Sequence, residues 1–393
     1  TCALPISTVY IVGSVRTPLG ASISGGYANV PAPQLGAAAV KESLIRSNVS
    51  PESIDELIAG NVITAGIGQN PAKQCSIEAG LPNTVPCTTI NKVCCSSLKA
   101  LSIAAQDVKY GEVNTAVVVG MENMTLAPHL VRNARKIQKM GNIEFKEPIT
   151  GEDSMIVDGL WDSFNNCHMG LLADKMAQKH GITREEQDRF AIQSFARAKE
   201  GWESGELDVM EFNGVKSDEV IPKLIKEKVP TLRSCFMKDG TVTAANASAL
   251  SDGAAALVIV SEKYLKENNL KPIAKIIGYA DAGCDPAEFV YAPVLAARKV
   301  LEKCNLKFED IDLFEVNEAF AVAPLLFMKE TGVSEDKLNV FGGAIAIGHP
   351  LGCTGIRIVN TLISALRAKG KKTGLATLCN GGGGATAVII ELA

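Results

Sequence analysis

The sequence predicts an α/β protein of two similar halves with an insertion between them, and three observations predict it. Short runs rich in Val, Ile and Ala alternate with longer segments of helical periodicity, the pattern of layered helices and sheets rather than of a sandwich or bundle. A pattern of residues in the first half returns in the second at a nearly constant shift. Residues 124–250 break this rhythm with more charge, more turns and fewer strand-like runs.

The repeat is legible in two blocks. A helical segment at 39–47 is followed by Asn48-Val49-Ser50-Pro51-Glu52-Ser53-Ile54-Asp55 and an apolar strand; a helical segment at 297–304 is followed by Asn305-Leu306-Lys307-Phe308-Glu309-Asp310-Ile311-Asp312 and a strand from Leu313. Position 48 thus corresponds to 305, a shift of 257. Further on, a helix expected over 94–107 and ending near Gly111 feeds a strand at 116–119, and a helix expected over 351–366 and ending near Gly370 feeds one at 375–378. Ser96-Ser97-Leu98-Lys99 then align with Thr354-Gly355-Ile356-Arg357 at a shift of 258. Helix-then-strand units resemble one another in any case, but two separated blocks with one shift read as a duplication. The insertion holds an amphipathic helix expected from 183 to about 199, with Thr183 and Glu186 at capping-box spacing, and a Lys-rich loop over 216–238.

Bulk properties narrow the function. At 393 residues, 47% apolar and 21% charged, the chain has the composition of a compact globular protein with a large core. A formal charge of −4 without long Lys or Arg blocks argues against nucleic acid as a partner, and no run approaches the ~18 apolar residues of a membrane span. Eleven cysteines without a C-x-x-C pair or zinc-site spacing suit a reducing compartment and predict no metal site. The terminus Thr1-Cys2-Ala3-Leu4-Pro5-Ile6 shows neither signal-peptide nor arginine-rich leader pattern, so a cytoplasmic location is expected, with a trimmed mitochondrial precursor as the alternative.

Four places can carry chemistry. In Asn91-Lys92-Val93-Cys94-Cys95-Ser96-Ser97-Leu98 a polar turn opens a helix, and the helix dipole and free N–H groups would lower the pKa of a thiol there. Taken alone, a buried structural cysteine is the commoner occupant of such a position. In Val316-Asn317-Glu318-Ala319-Phe320-Ala321 the Asn amide would hold a water or carbonyl, or simply cap a helix. The run 342–352 contains Gly348-His349-Pro350-Leu351-Gly352, with one of only four histidines, and lacks both the dinucleotide fingerprint and the P-loop Lys. Finally, Cys379-Asn380-Gly381-Gly382-Gly383-Gly384 ends an apolar strand in a glycine loop, either a flexible turn or a row of N–H groups aimed at an oxyanion.

Together these runs resemble, in order, the four signatures of the thiolases. Met121-Glu122-Asn123-Met124, Asn246-Ala247-Ser248 and 251–256 extend the likeness over essentially the whole chain, and Cys167-His168-Met169-Gly170 points to the biosynthetic acetoacetyl-CoA subgroup. The resemblance implies a thiolase fold, a duplicated five-layered αβαβα arrangement: an N-terminal domain from 1–123 and 251–272, a loop domain at 124–250 for coenzyme A binding and oligomerisation, and a C-terminal domain at 273–393. It implies Cys94 as the acyl-accepting nucleophile, His349 as its base and Cys379 as the second acid/base. One oxyanion site would be the backbone N–H of Cys94 and Gly381, the other His349 with a water on Asn317. Ser248 would touch the pantetheine arm, His168 and Met169 would cover the acyl pocket, and Phe236 and Ala244 would meet the nucleotide arm. Substrates would be acetyl-CoA, acetoacetyl-CoA and free CoA, with no prosthetic group, in a cytoplasmic homodimer or homotetramer serving the mevalonate pathway.

Departures from the family pattern are Ser97, where Gly is usual, Cys95, a second thiol beside the nucleophile, and Phe289, where Met is common and which would reshape the acyl pocket towards 2-methyl-branched substrates. Three alternatives stand beside this reading: a 3-ketoacyl-CoA thiolase of broader chain length, a ketoacyl synthase-like condensing enzyme, which Cys379 disfavours, and a non-catalytic acyl-CoA-binding protein on the same fold.

Overall fold

The computed structural model describes residues 7–145 and 149–393, so the amino-terminal segment 1–6 lies outside the described residues. The first half contains strands β1 (Val9–Arg16), β2 (Gly20–Ala21), β3 (Glu56–Gly60), β4 (Cys87–Ile90) and β5 (Thr115–Asn123), and helices α1 (Ala32–Ser47), α2 (Pro71–Glu78) and α3 (Ser96–Tyr110). The inserted segment adds the short strand pairs β6 (His129–Leu130) with β7 (Glu152–Asp153) and β8 (Trp161–Asp162) with β9 (Cys167–His168), then α4 (Met169–His180) and α5 (Arg184–Glu203). Strand β10 (Ser251–Ser261) returns to the first half between β1 and β5, antiparallel to both, and α6 (Glu262–Glu267) follows. The second half runs β11 (Ala274–Gly283), α7 (Ala292–Cys304), β12 (Leu313–Val316), α8 (Val322–Thr331), the single turn α9 (Ala344–Ile347), α10 (Leu351–Ala368), β13 (Thr373–Asn380) and β14 (Gly384–Leu392).

Why layers form follows from burial. Every residue of β5 and of β10 is buried, so these strands read as continuous apolar runs and need cover on both faces. In α10 the burial is unbroken from Leu351 to Leu366, which a helix between two sheets requires. The half-sheets have the orders β4-β3-β5-β10-β1 and β12-β13-β14-β11, and they join where Tyr10 and Ile11 of β1 face Lys275 and Ala274 of β11. Helices α3 and α10 lie between them, packing against Ile58, Val118 and Leu257 on one side and Leu378, Val388 and Ile390 on the other. The outer faces are covered by α1 and α2 in the first half and by α7 and α8 in the second, completing five layers.

Small residues let the inner layer close. A Cβ on Gly355 of α10 would strike the Leu98 backbone nitrogen of α3, and one on Gly352 would lie 2.8 Å from the Asn61 Cα and the Met121 carbonyl oxygen. Helix α3 begins at Ser96, two residues later than expected, because 91–95 form a tight turn; α5 runs beyond 199 to Glu203 and opens on the Thr183/Glu186 capping box. The Lys-rich loop 216–238 contains only the 3-10 turns Ile221–Lys223 and Lys226–Thr231. Among the described residues no helix is long and apolar enough to cross a membrane.

Candidate active site

The turn before α3 is strained and heavily braced. Val93 sits at φ 49°, a left-handed conformation that disfavours a β-branched residue by about 1–3 kcal/mol. Its neighbours hold it: the Val93 N–H donates to Asn91 Oδ1 (3.0 Å), the Lys92 N–H to Ser96 Oγ (2.9 Å), and Ser96 Oγ to the Val93 carbonyl (2.6 Å). The Lys92 ammonium reaches across to Asp281 of β11 (2.6 Å) and to Thr386 Oγ1 (2.9 Å), tying the turn to the opposite half. Cys94 is half-buried at its apex, while Cys95 is fully buried and donates its S–H to the Leu378 carbonyl (3.2 Å). The second thiol is therefore a strut between halves, withdrawn from reagents that would reach Cys94.

The expected depression of the Cys94 pKa is absent. Burial pushes it up to about 12, and the neighbouring Cys95 adds to this; the backbone N–H groups of Cys94 and Gly381 pull it down without prevailing. Desolvation of a lone thiolate outweighs the helix terminus because the sulfur stands two residues ahead of α3, inside packed protein. Those two N–H groups are the pair that the thiolase resemblance implies for the first oxyanion site.

His349 precedes α10 and is 5% exposed. Its Nδ1 lies 2.6 Å from Thr354 Oγ1, one turn along the helix, and its Nε2 lies 3.4 Å from Asn317 Nδ2. Burial, with the Arg357 guanidinium adding to it, pushes the imidazole pKa down to about 3, so the ring is neutral at pH 7. Asn317 leaves the end of β12 rather than capping α8, which starts at Val322, and its N–H donates to the Thr377 carbonyl (3.0 Å), which sets it beside β13. Two positions along, Cys379 is 1% exposed, and its pKa is raised by burial and then by the thiol of Cys94 close by. Leu351, two residues from His349, shares a small apolar cluster with Cys94. The two thiols thus lie near each other, and the imidazole lies beside the Asn317 amide, where strand ends of the two halves face each other.

A cavity of about 380 Å³ lies beside the Cys94 turn, lined by Asn91, Val93 and Gly381 and, from the insertion, by Trp161, Phe164 and Met169. His168 stacks on Phe236 with ring centroids 4.5 Å apart, its Nδ1 accepting the Gly170 N–H (3.1 Å); a side chain at Gly170 would collide with the Phe236 ring. Phe289 is buried in one cluster with Cys379 and Met169 and meets Phe320 edge to face at 6.2 Å. The loop bearing Ser248 lies against the Asn317 motif: the Ser248 N–H donates to the Ala319 carbonyl (3.0 Å) and the Ala321 N–H to the Asn246 carbonyl (2.9 Å). Ala244 is exposed on the same loop. Among the described residues no group of three or more His, Cys, Asp or Glu converges to hold a metal ion.

Sequence reasoning did not foresee the contacts of three groups in this architecture. Glu122, fully buried at the end of β5, accepts from Asn61 Nδ2 (2.7 Å) and from the N–H of Val62 (3.0 Å), Ile63 (3.1 Å) and Gly352 (2.8 Å), binding the first half to the start of α10. Ser97 is not idle bulk, since its Oγ accepts the Ile356 N–H of α10 at 3.1 Å. Arg357, fully buried, donates to Asn317 Oδ1 at 3.1 Å. Thr354 and Arg357 had been read only as register marks of the repeat, and nothing local in the sequence showed what they touch.

A twin-sheet frame that gathers two cysteines, a histidine and an asparagine at one junction defines a class of acyl-transfer enzymes working through a thiol. The chain belongs to the thiolase family: the thiolase N-terminal domain matches residues 9–263 and the thiolase C-terminal domain residues 270–392. It is 45% identical to a cytosolic acetyl-CoA acetyltransferase of Gibberella zeae, over 98% of both chains, and 43% identical to an acetyl-CoA acetyltransferase of Saccharomyces cerevisiae, again over 98% of both. Among solved structures it superposes on the Acat5 thiolase of Ascaris suum in complex with coenzyme A with a TM-score of 0.92, at 42% identity and covering 98% of this chain and 100% of that one. Human mitochondrial 3-ketoacyl-CoA thiolase in complex with CoA gives 0.93 at 36% identity, covering 99% and 98%.

Proposed function

We propose that this chain is an acetyl-CoA C-acetyltransferase that condenses two acetyl-CoA into acetoacetyl-CoA and CoA, and runs the reverse thiolysis, through an acyl group on Cys94. The observation that carries the reading is the Cys94 thiol beneath the N–H groups of its own backbone and of Gly381, with a neutral imidazole and a second thiol in the facing half. In the first half-reaction His349 takes the Cys94 proton, the sulfur attacks the thioester carbonyl, and the two N–H groups hold the oxyanion while CoA leaves with the proton. In the second, Cys379 acts as its thiolate, its own proton having passed to solvent, and removes a methyl proton from the next acetyl-CoA, while His349 with a water on Asn317 holds the enolate oxygen. The carbanion then attacks the acyl carbon on Cys94, and the released Cys94 thiolate takes up the proton that Cys379 had gained. The first step moves a proton from Cys94 to His349, and such an opposed pair is disfavoured by burial far less than either lone ion.

Coenzyme A thioesters are the substrates, and no prosthetic group takes part. Ser248 takes the pantetheine arm, His168 and Met169 cover the acyl group, Phe236 and Ala244 meet the nucleotide, and Phe289 shapes the acyl pocket. We assign 1–123 with 251–272 and 273–393 as the twin domains and 124–250 as the CoA-binding and oligomerisation domain, in a cytoplasmic enzyme supplying the mevalonate pathway. Support for a homodimer, and a dimer of dimers from it, is β4, an edge strand without a further neighbour in the sheet. The test is steady-state thiolysis of acetoacetyl-CoA against longer 3-ketoacyl thioesters: a clear preference for the C4 substrate is expected, and equal or better turnover of long chains would assign the broader thiolase activity instead. With radiolabelled acetyl-CoA, the parent protein acquires label and Cys94→Ala does not; equal labelling of both would remove Cys94 from the mechanism.

A further inference from the structure

We infer that Lys92 and Asp281 are positioning residues that set the separation of the two N–H groups of the proposed first oxyanion site, which come from different halves of the molecule. The inference rests on the proposed acylation of Cys94. The Cys94 N–H belongs to the turn before α3, and the Gly381 N–H to the loop between β13 and β14. Turn and loop touch, since a Cβ built on Gly381 would lie 3.7 Å from Val93 Cγ1. Nothing in the local chain sets how far apart they stand. A row of residues across the second half does: Asp281 on β11 faces Thr386 on β14, and Thr386 faces Leu378 on β13, the strand that leads into Gly381. Lys92 Nζ donates to Asp281 Oδ1 (2.6 Å), Thr386 Oγ1 (2.9 Å) and the Ala385 carbonyl (3.4 Å), so all three ammonium hydrogens are committed to this row. The Cys95 S–H meets the far end of it at the Leu378 carbonyl (3.2 Å).

Asp281 is held in turn: its Oδ2 accepts from Lys99 in the first turn of α3 (2.7 Å), and its Oδ1 accepts from the Thr386 hydroxyl (2.7 Å). One carboxylate thus takes a lysine from the turn and a lysine from the helix behind it, which fixes the direction of the turn as well as its distance. What it restrains is a conformation that would otherwise relax. Val93, between Lys92 and Cys94, stands at φ 49°, and its return to an ordinary φ would swing the Cys94 N–H away from Gly381. A displacement of ~1 Å in a reacting constellation lowers the rate by about 10²-fold. The ion pair itself adds little to stability, because the Lys92 and Asp281 side chains are 26% and 39% exposed and pairs open to solvent contribute weakly. Its effect on position is therefore separable from its effect on folding.

The test compares two reactions of one sulfur in the full-length protein: acetyl transfer from acetyl-CoA, which passes through an oxyanion, and alkylation by iodoacetamide, which does not. Both are followed by mass on the peptide carrying Cys94, with fragment ions separating it from Cys95. In Lys92→Met, acetylation at saturating acetyl-CoA should slow by roughly 10- to 100-fold with little change in KM, while alkylation of Cys94 stays within about threefold of the parent and the urea midpoint barely moves. Lys92→Arg, which keeps the charge and the reach, should recover most of the loss. Asp281→Asn should show the same pattern as Lys92→Met, and the double variant should be no slower than the slower single one, as expected of two residues acting as a unit. Parental acetylation in both single variants would overturn the inference, as would alkylation that slows as far as acetylation, or losses that multiply in the double variant. Acetylation of the parent separates the two levels: a labelled parent with any of those results sinks this inference alone, whereas a parent never labelled at Cys94 sinks the functional reading beneath it.

Discussion

In the first half the Asp55 carboxylate accepts from the N–H of Asn114 (2.8 Å) and Thr115 (3.0 Å); in the second, Asp312 accepts from Lys372 (3.0 Å) and Thr373 (2.9 Å). Upstream, α1 and α7 both end on a left-handed asparagine, Asn48 and Asn305, each at φ 54°, and each passes through one 3-10 turn into its strand. At the amino ends of β3 and β5, and of β12 and β13, the halves are copies. At the carboxyl ends they differ: the first half presents a strained turn bearing Cys94, whereas the second presents Asn317, His349 and Cys379. Ligands of open α/β sheets bind beyond the carboxyl ends of strands, so one end of each half is free to diverge while the other keeps the framework. The proposed reactive residues are divided so that neither half holds all of them.

The sharpest way to break this comparison is to remove one thiol at a time. Cys94→Ala should lose at least about 10⁴-fold in turnover and all acetyl labelling, while Cys379→Ala should lose comparable turnover yet still become labelled; failure of Cys379→Ala to label would place both thiols in the first half-reaction. Next in size, Asn317→Ala should reduce kcat by roughly 10²–10³-fold, as loss of an oxyanion partner does, and an unchanged kcat would confine the residue to structure.

A smaller effect tests the bridge between halves. Glu122→Ala leaves three backbone N–H groups and the Asn61 amide without their acceptor, and should lower stability by about 3 kcal/mol in urea denaturation. Glu318, another buried carboxylate, accepts from Ser194 (2.7 Å), Asn339 (3.0 Å) and the Ile345 N–H (3.1 Å), and Glu318→Ala should behave alike. A parental urea midpoint for either variant would show that carboxylate to be dispensable.

The smallest effect comes where the copies differ within the framework. Glu56 follows Asp55, but Leu313 follows Asp312. Burial first, then repulsion from Asp107 and Asp55, raises the Glu56 pKa to about 7 from its ordinary value of 4.5. At Glu56 the folded protein therefore binds a proton that the unfolded chain releases, so the contribution of this group to stability is fully present below pH 4.5 and is lost as pH rises through about 7. Glu56→Leu, which makes the first half match the second, should flatten this fall and add about 1 kcal/mol above pH 7, solvent screening having been allowed for. An unchanged pH profile would locate the loss elsewhere.

Much of this architecture was readable in advance. The shift between repeats predicted paired helices and strands that the structure contains, and Thr183 with Glu186 forms the capping box their spacing announced. Element ends were less legible: α3 was read from 94 because the turn at 91–95 carries helix-compatible residues, and Val93 gives no local sign of its left-handed backbone. The Cys94 pKa was misjudged for a related reason, since a helix terminus is visible in sequence while the depth of the sulfur beneath the other half is not.

Local order therefore belongs to the sequence. Helix caps, apolar periods and the doubled pattern are interactions among residues a few positions apart, and they specify two α/β halves and the reactive residue types. Which of those residues face one another belongs to the tertiary structure. Arg357 meets Asn317, Glu122 meets Gly352 and Cys95 meets Leu378 across 40, 230 and 283 positions respectively. Such contacts form only when two sheets close on α3 and α10, and the burial they create sets the protonation of every group in the site.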